Sequence, residues 1–171
     1  MAIRPMIRAR AASQKMPLMK MYGKSMPHAP SATPVWTTYG YDGIGRTTSV
    51  LSPDGASTTA YSYQGNEVTV TDPAGHWKNY YTDALGHLVQ VEEPNPAGGS
   101  YYETYYTYDL LDHLTQVSMP RPTGTQTRTF NYNDGGVLLS ATNPENGAVT
   151  YAYDSNHRLT TKTDAKGQQI R

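Results

Sequence analysis

The stretch Tyr151-Ala152-Tyr153-Asp154-Ser155-Asn156-His157-Arg158-Leu159 decides how the chain is read. Tyr151 and Tyr153, spaced by two, fall on one face of an extended strand. Asp154 is suited to open a tight turn, because its carboxylate can accept hydrogen bonds from backbone amides two residues on. Arg158 and Leu159 then begin a returning strand, so the segment predicts a β-hairpin.

Upstream, the phrase repeats. Aligned on the acid, its echoes are Tyr41, Asp42, Gly45 and Arg46; Tyr81, Asp83, Gly86, His87 and Leu88; Tyr108, Asp109, Asp112, His113 and Leu114; and Tyr132, Asn133, Gly136, Val137 and Leu138. A degenerate copy surrounds Tyr61, Tyr63, Gly65 and Asn66, with Gln64 in the anchor position. The period is about 20 to 26 residues. Between anchors lies a second turn signal, as in Ser52-Pro53-Asp54-Gly55, Asp72-Pro73-Ala74-Gly75, Pro94 to Gly99, Pro120 to Gly124 and Asn143 to Gly147. Proline presets φ at the start of such turns and glycine accepts positive φ near their end. The intervening segments, among them Glu67-Val68-Thr69-Val70-Thr71 and Leu114-Thr115-Gln116-Val117, are rich in β-branched residues and mostly alternate. Each repeat therefore reads as strand, turn, strand, turn, and repeats of this length stack or wind into larger bodies.

The loop length sets the cross-strand partners. A two-residue loop would place Tyr41 opposite Arg46, Tyr108 opposite His113 and Tyr153 opposite Arg158, as stacked or cation–π pairs. A loop longer by one residue shifts the register and dissolves those pairs.

Composition agrees with an all-β chain. The 171 residues hold 12 Pro and 15 Gly, enough to punctuate many short strands, and 15 Tyr against one Phe. Leu, Ile and Val are scarce, so the core is expected to be thin and tyrosine-rich, which needs another layer, closure or a neighbouring chain. With no Cys, disulfides and thiolate metal sites are excluded. No apolar run reaches the roughly 18 residues of a membrane-spanning helix.

The net charge of zero hides an asymmetry. Residues 1–41 carry Arg4, Arg8, Arg10, Lys15, Lys20 and Lys24 and no acid, for a charge of +6, and the remainder carries −6. Residues 1–34, rich in Met and Pro and without sustained periodicity, read as a disordered basic leader. The leader lacks the uninterrupted apolar core of a secretory signal. A nucleic-acid arm is the less favoured reading of its charge, since basic tails are commonly just solvated. Residues 35–171 form the repeat region, of about six repeats.

The phrase Tyr-x-Tyr-Asp-x-x-Gly-Arg-Leu alternating with a Pro-x-Gly turn resembles the YD repeat of the Rhs proteins, which is shared with the shell components of bacterial ABC-type toxin complexes, wall-associated proteins and the teneurins. The resemblance covers residues 39–171. It implies repeated antiparallel β-hairpins forming part of a curved or spiralling sheet that walls a hollow shell around a toxic polypeptide. It also implies secreted or cell-surface localisation, and as partners further YD repeats of the same or a neighbouring polypeptide and an encapsulated toxin. Shells of this family use far more repeats than six, and Arg171 follows directly on Asp164-Ala165-Lys166-Gly167, so the chain reads as a fragment. Family cores also end in a paired Asp-Pro-x-Gly plug linked to aspartate-dependent self-cleavage. Here only Asp72-Pro73-Ala74-Gly75-His76-Trp77 is similar, and Asp72 is read as a structural turn residue because a paired-carboxylate mechanism needs its partner.

No catalytic constellation stands beside the repeat. His28, His76, His87, His113 and His157 do not read as a metal set, because His87 and His113 fill the slot that holds Arg46 or Arg158 elsewhere. No P-loop, dinucleotide fingerprint or Gly-x-Ser-x-Gly is present. The expectation is a structural protein without cofactor, metal or enzymatic activity. An alternative is a cell-surface carbohydrate-binding module in which Trp77, Tyr101, Tyr102, Tyr105 and Tyr106 stack on sugar rings; it requires those rings to be exposed rather than packed against a neighbouring layer.

Overall fold

The computed structural model describes residues 22–25 and 33–170. Every regular element among them is a β-strand, and each assigned pairing is antiparallel between strands consecutive in sequence. The chain divides into two units, Met1–Gln64 with Val68–Trp77, and Gly65–Glu67 with Lys78–Arg171.

The first unit holds β1 (Gly23–Ser25), β2 (Trp36–Tyr41), β3 (Thr47–Leu51), β4 (Thr58–Gln64) and most of β5 (Glu67–Thr71). Strand β1 lies inside the expected leader, yet it pairs Gly23 with Thr38 and Ser25 with Trp36. Its anchor is aromatic: the ring of Trp36 lies over Gly23, where a Cβ would come within 3.3 Å of it, and Tyr22 meets Tyr41 edge-on at 5.4 Å. The rest of the expected leader, residues 1–21 and 26–32, lies outside the described residues.

The second unit holds β6 (Trp77–Thr82, from Lys78 onward), β7 (Leu88–Glu93), β8 (Tyr102–Tyr108), β9 (Leu114–Met119), β10 (Gln126–Tyr132), β11 (Leu138–Asn143), β12 (Gly147–Tyr153), β13 (Leu159–Thr163) and β14 (Gln169–Ile170). Its buried apolar residues form a single row. Val91 on β7 is flanked by Tyr80 and Thr104, Val117 on β9 by Tyr106 and Arg128, and Ala141 on β11 by Phe130 and Val149. Strand alternation puts all nine side chains on one face. Val91, Val117, Ala141 and Val149 are the buried hydrophobic residues, each no more than 9% exposed. Burying a valine side chain is worth about 1.5–3 kcal/mol, so the core is a thin stripe shielded by the aromatic rings beside it.

The opposite face is polar. Glu92 on β7 accepts from Tyr81 Oη at 2.9 Å and from Gln90 Nε2 at 3.0 Å, and Glu103 stands directly across from it on β8. Tyr81, read in sequence as a repeat-motif ring, belongs to this network. The slot before Asp83 is held by Thr82, whose N–H donates to the Asn66 carbonyl at 3.1 Å.

The hairpins take the longer loop. Tyr41 faces Thr47, Tyr108 faces Leu114 and Tyr153 faces Leu159, with a register shift at each of these pairs. The pairs Tyr41 with Arg46, Tyr108 with His113 and Tyr153 with Arg158 do not form. The cause is a type I turn followed by a residue in the left-handed region, which adds one residue to the loop and leaves a bulge. Asp112 at φ 66° and His157 at φ 60° occupy that position, where siblings carry glycine.

A candidate assembly site in the repeating turn

Each anchor carboxylate folds its own turn. In the Asp109 turn, Oδ1 accepts from the N–H of Leu111 at 2.8 Å and of His113 at 2.9 Å, while the Asp109 N–H donates to the His113 carbonyl. Asp42, Asp83, Asn133, Asp154 and Asp164 make the same pair of Oδ1 bonds. So does Asp72, which opens an Asp-Pro turn of the second class. The two turn signals distinguished in sequence thus converge there on one geometry, and the Asp72 carboxylate is occupied by amides and by His76.

The second carboxylate oxygen takes a side-chain donor four residues on. Arg46 Nε lies 2.7 Å from Asp42 Oδ2, His87 Nδ1 2.9 Å from Asp83 Oδ2, and His113 Nδ1 3.0 Å from Asp109 Oδ2. A carboxylate only accepts, so Nδ1 carries the proton in both histidines. The Arg46 guanidinium holds the Asp42 carboxyl below its usual range, and the His113 backbone N–H, then its ring, do the same for Asp109. At Asp83 burial is the largest influence and opposes ionisation, yet the bonds from His87 and the turn amides outweigh it and the carboxyl is still lowered.

Those cationic and imidazole groups then meet the tyrosine of the following repeat. Arg46 lies over the Tyr63 ring at 4.2 Å, His87 stacks on Tyr108 at 4.7 Å, and His113 stacks on Tyr132 at 4.8 Å. The tyrosine hydroxyls reach back to the backbone of the previous repeat. Tyr63 donates to the Thr47 carbonyl at 2.7 Å, Tyr108 to Leu88 at 3.0 Å, Tyr132 to Leu114 at 3.1 Å and Tyr153 to Leu138 at 2.8 Å. The acceptor is each time the fifth residue after the preceding anchor. Burial pushes the Tyr108 and Tyr132 hydroxyls above their ordinary range.

This clasp joins consecutive repeats, and sequence reasoning paired each tyrosine within its own hairpin. The signal that would have found it is the constant offset between one anchor's fifth residue and the next repeat's tyrosine, visible only with the bulged register in hand. Gly45, Gly86 and Gly136 supply the left-handed residue. Gly136 does more: a Cβ there would stand 2.7 Å from His113 Nε2.

The tyrosines among the carbohydrate candidates do not share one face. Tyr102 and Tyr106 point to the face that carries Val91 and Val117, and Tyr105 points to the opposite face. The Tyr102 ring is covered by Arg121 at 4.6 Å. Tyr101 and Tyr105 are exposed, and Tyr105 bonds Glu103, which pushes its hydroxyl up. Trp77 is half-buried. Among the described residues no group of three His, Asp or Glu is placed to hold a metal ion, and no helix is long and apolar enough to cross a membrane. His28 lies outside the described residues.

The family model for the teneurin YD-shell matches residues 33–171. The chain belongs to that family. Among solved structures, the YD-shell chain is similar to TcdB2-TccC3 without its hypervariable C-terminal region, with a TM-score of 0.60 at 18% identity over 77% of this chain and 7% of that one. A TcdB2-TccC3-TEV structure matches with a TM-score of 0.62 at 18% identity, over 78% of this chain and 8% of that one. The Photorhabdus luminescens Tc holotoxin pore with a TccC3 mutation matches with a TM-score of 0.52 at 14% identity, over 84% and 10%. The YD-shell chain therefore spans under a tenth of the first two structures. A search of curated proteins finds no match.

Proposed function

We propose that this chain is a wall segment of a YD-repeat shell that encloses or presents a secreted toxin or effector polypeptide, and that it performs no catalysis of its own. The observation that carries this reading is the recurring clasp at Tyr63, Tyr108, Tyr132 and Tyr153, which extends a sheet one hairpin at a time and spends its carboxylates on turn amides. In this reading residues 35–171 are the wall, and the motif residues Asp42, Asp83, Asp109, Asn133 and Asp154 are structural. Further YD repeats of the same or a neighbouring polypeptide pair laterally with it. The similarity to toxin-complex structures supports an extracellular setting.

The test is protection. The intact protein, tagged on this chain and isolated from its own cells with whatever it holds, is treated with a broad-specificity protease before and after denaturation in urea. The proposal expects a polypeptide that survives digestion in the native particle and is degraded once the wall unfolds. A sample with no protected polypeptide, or one equally sensitive in both states, overturns it.

A further inference from the structure

Three histidines follow anchor aspartates at the same offset, and one differs from the others in what faces its second nitrogen. His76 Nδ1 lies 3.0 Å from Asp72 Oδ2 on an open surface. His113 Nδ1 lies 3.0 Å from Asp109 Oδ2, while its Nε2 is turned to the backbone of Gly136. His87 lies between two acids: Nδ1 is 2.9 Å from Asp83 Oδ2 in its own turn, and Nε2 is 3.3 Å from Asp112 Oδ1 in the next. We propose that His87 is an acid-favoured staple between two consecutive hairpin turns, its imidazolium donating to Asp83 on one side and paired by charge with Asp112 on the other.

The argument is one of proton count. Nδ1 donates to Asp83, whereas the approach of Nε2 to Asp112 at 3.3 Å is a charge contact, attractive only while both ring nitrogens carry protons. A neutral imidazole donates to one carboxylate and turns a lone pair toward the other, which repels it. The His87 side chain is 19% exposed and stacked on Tyr108, which limits water at the ring, while the Asp112 carboxylate stays open to solvent. The titratable groups facing it are Asp83 from its own turn, Asp109 and Asp112 from the turn between β8 and β9, and Tyr106 and Tyr108 from β8; no Lys or Arg lines this groove of about 360 Å³.

The backbone adds an independent observation. Asp112 occupies the left-handed position at φ 66°, where Gly45, Gly86 and Gly136 stand in sibling turns. Aspartate reaches this conformation more readily than most side chains, yet less readily than glycine. From there its side chain reaches His87. The stabilisation is therefore largest while the imidazolium persists and is lost as rising pH removes its second proton.

The full chain is compared with Asp112→Gly, His87→Gln and the double variant by thermal unfolding at pH 5.5 and pH 8.0. The margin of the unmodified chain over Asp112→Gly should grow by roughly 2–4 °C on going from pH 8.0 to pH 5.5. In the His87→Gln background, Asp112→Gly should have the same effect at both pH values. An Asp112→Gly effect independent of pH overturns the staple, and so does a pH-dependent effect that persists without His87. Nitrogen-resolved NMR of the His87 ring at pH 5.5 gives a readout free of global unfolding. Two ring N–H signals support the staple, and a single one overturns it.

Discussion

The Tyr108 hydroxyl donates to the Leu88 carbonyl at 3.0 Å, a bond between one repeat's anchor tyrosine and the backbone of the repeat before it. Its ring is covered by His87 on the same path. Tyr108→Phe keeps the stack and removes the donor, leaving a half-buried carbonyl without its partner. The expected loss is about 0.5–1.5 kcal/mol in urea unfolding, with Tyr132→Phe behaving alike. Tyr105→Phe on the opposite face leaves every such clasp in place and should cost less than either.

The turn carboxylates predict an ordering of substitutions. Asp154→Ala removes the acceptor for the Asn156 and Arg158 amides and should cost about 1 kcal/mol. Asp154→Asn retains an Oδ1 acceptor and should cost clearly less. Asn133 already fills that role, accepting from Gly135 at 3.0 Å and Val137 at 2.9 Å. Equal losses for the two variants in thermal unfolding would contradict the acceptor role.

Acid should unravel the same turns. The carboxyls of Asp42, Asp54, Asp72, Asp83 and Asp109 are all held below their ordinary range. A lowered carboxyl contributes stability above the unfolded value of about 3.9, and loses it as pH falls through its folded value. Melting temperature should therefore drop steeply below about pH 4. Asp109→Asn, which cannot titrate, should make that acid limb shallower.

Two glycines separate backbone strain from crowding. Gly86 at φ 92° has open space around a notional Cβ, while Gly136 at φ 75° would press one against His113 at 2.7 Å. Gly86→Ala should cost about 1–2 kcal/mol from its φ alone. Gly136→Ala should cost more and perturb the His113 and Tyr132 ring signals in NMR spectra. Identical effects at both sites would remove His113 from the account.

The buried row and the exposed turn tips give the widest contrast. Val117→Ala, at 9% exposure in the stripe between Tyr106 and Arg128, should lose about 1–3 kcal/mol. Leu110→Ser, fully exposed at a turn tip, should stay within about 0.5 kcal/mol. Denaturant titration of the two variants checks both values.

Much of this architecture was legible before any coordinates. Recurrence of the anchor acid at Asp42, Asp83, Asp109 and Asp154, with Gly, Asp112 or His157 three residues on, marks hairpins, because that spacing belongs to a turn and the β-branched segments between belong to strands. What stayed hidden turns on one residue of loop length. Asp112 and His157 at positive φ lengthen the loop as glycine does, and that step moves Arg46, His87 and His113 away from the tyrosine of their own hairpin. Tyr81 stands two residues before Asp83, where its siblings stand one before their anchors, and its register opposite Gln90 puts it among Glu92 and Asn79. Strand β1 escaped notice because three residues, Gly23–Ser25, carry no periodicity of their own and depend on Trp36.

The clasp has a direction. Each carbonyl that accepts a tyrosine hydroxyl waits for a residue 15 to 20 positions further along the chain, and none of these bonds runs the other way. On a ribosome the acceptor therefore emerges before its donor, so each of these four clasps can close only when the following tyrosine has been made. The order of synthesis thus sets the order in which these four clasps become available.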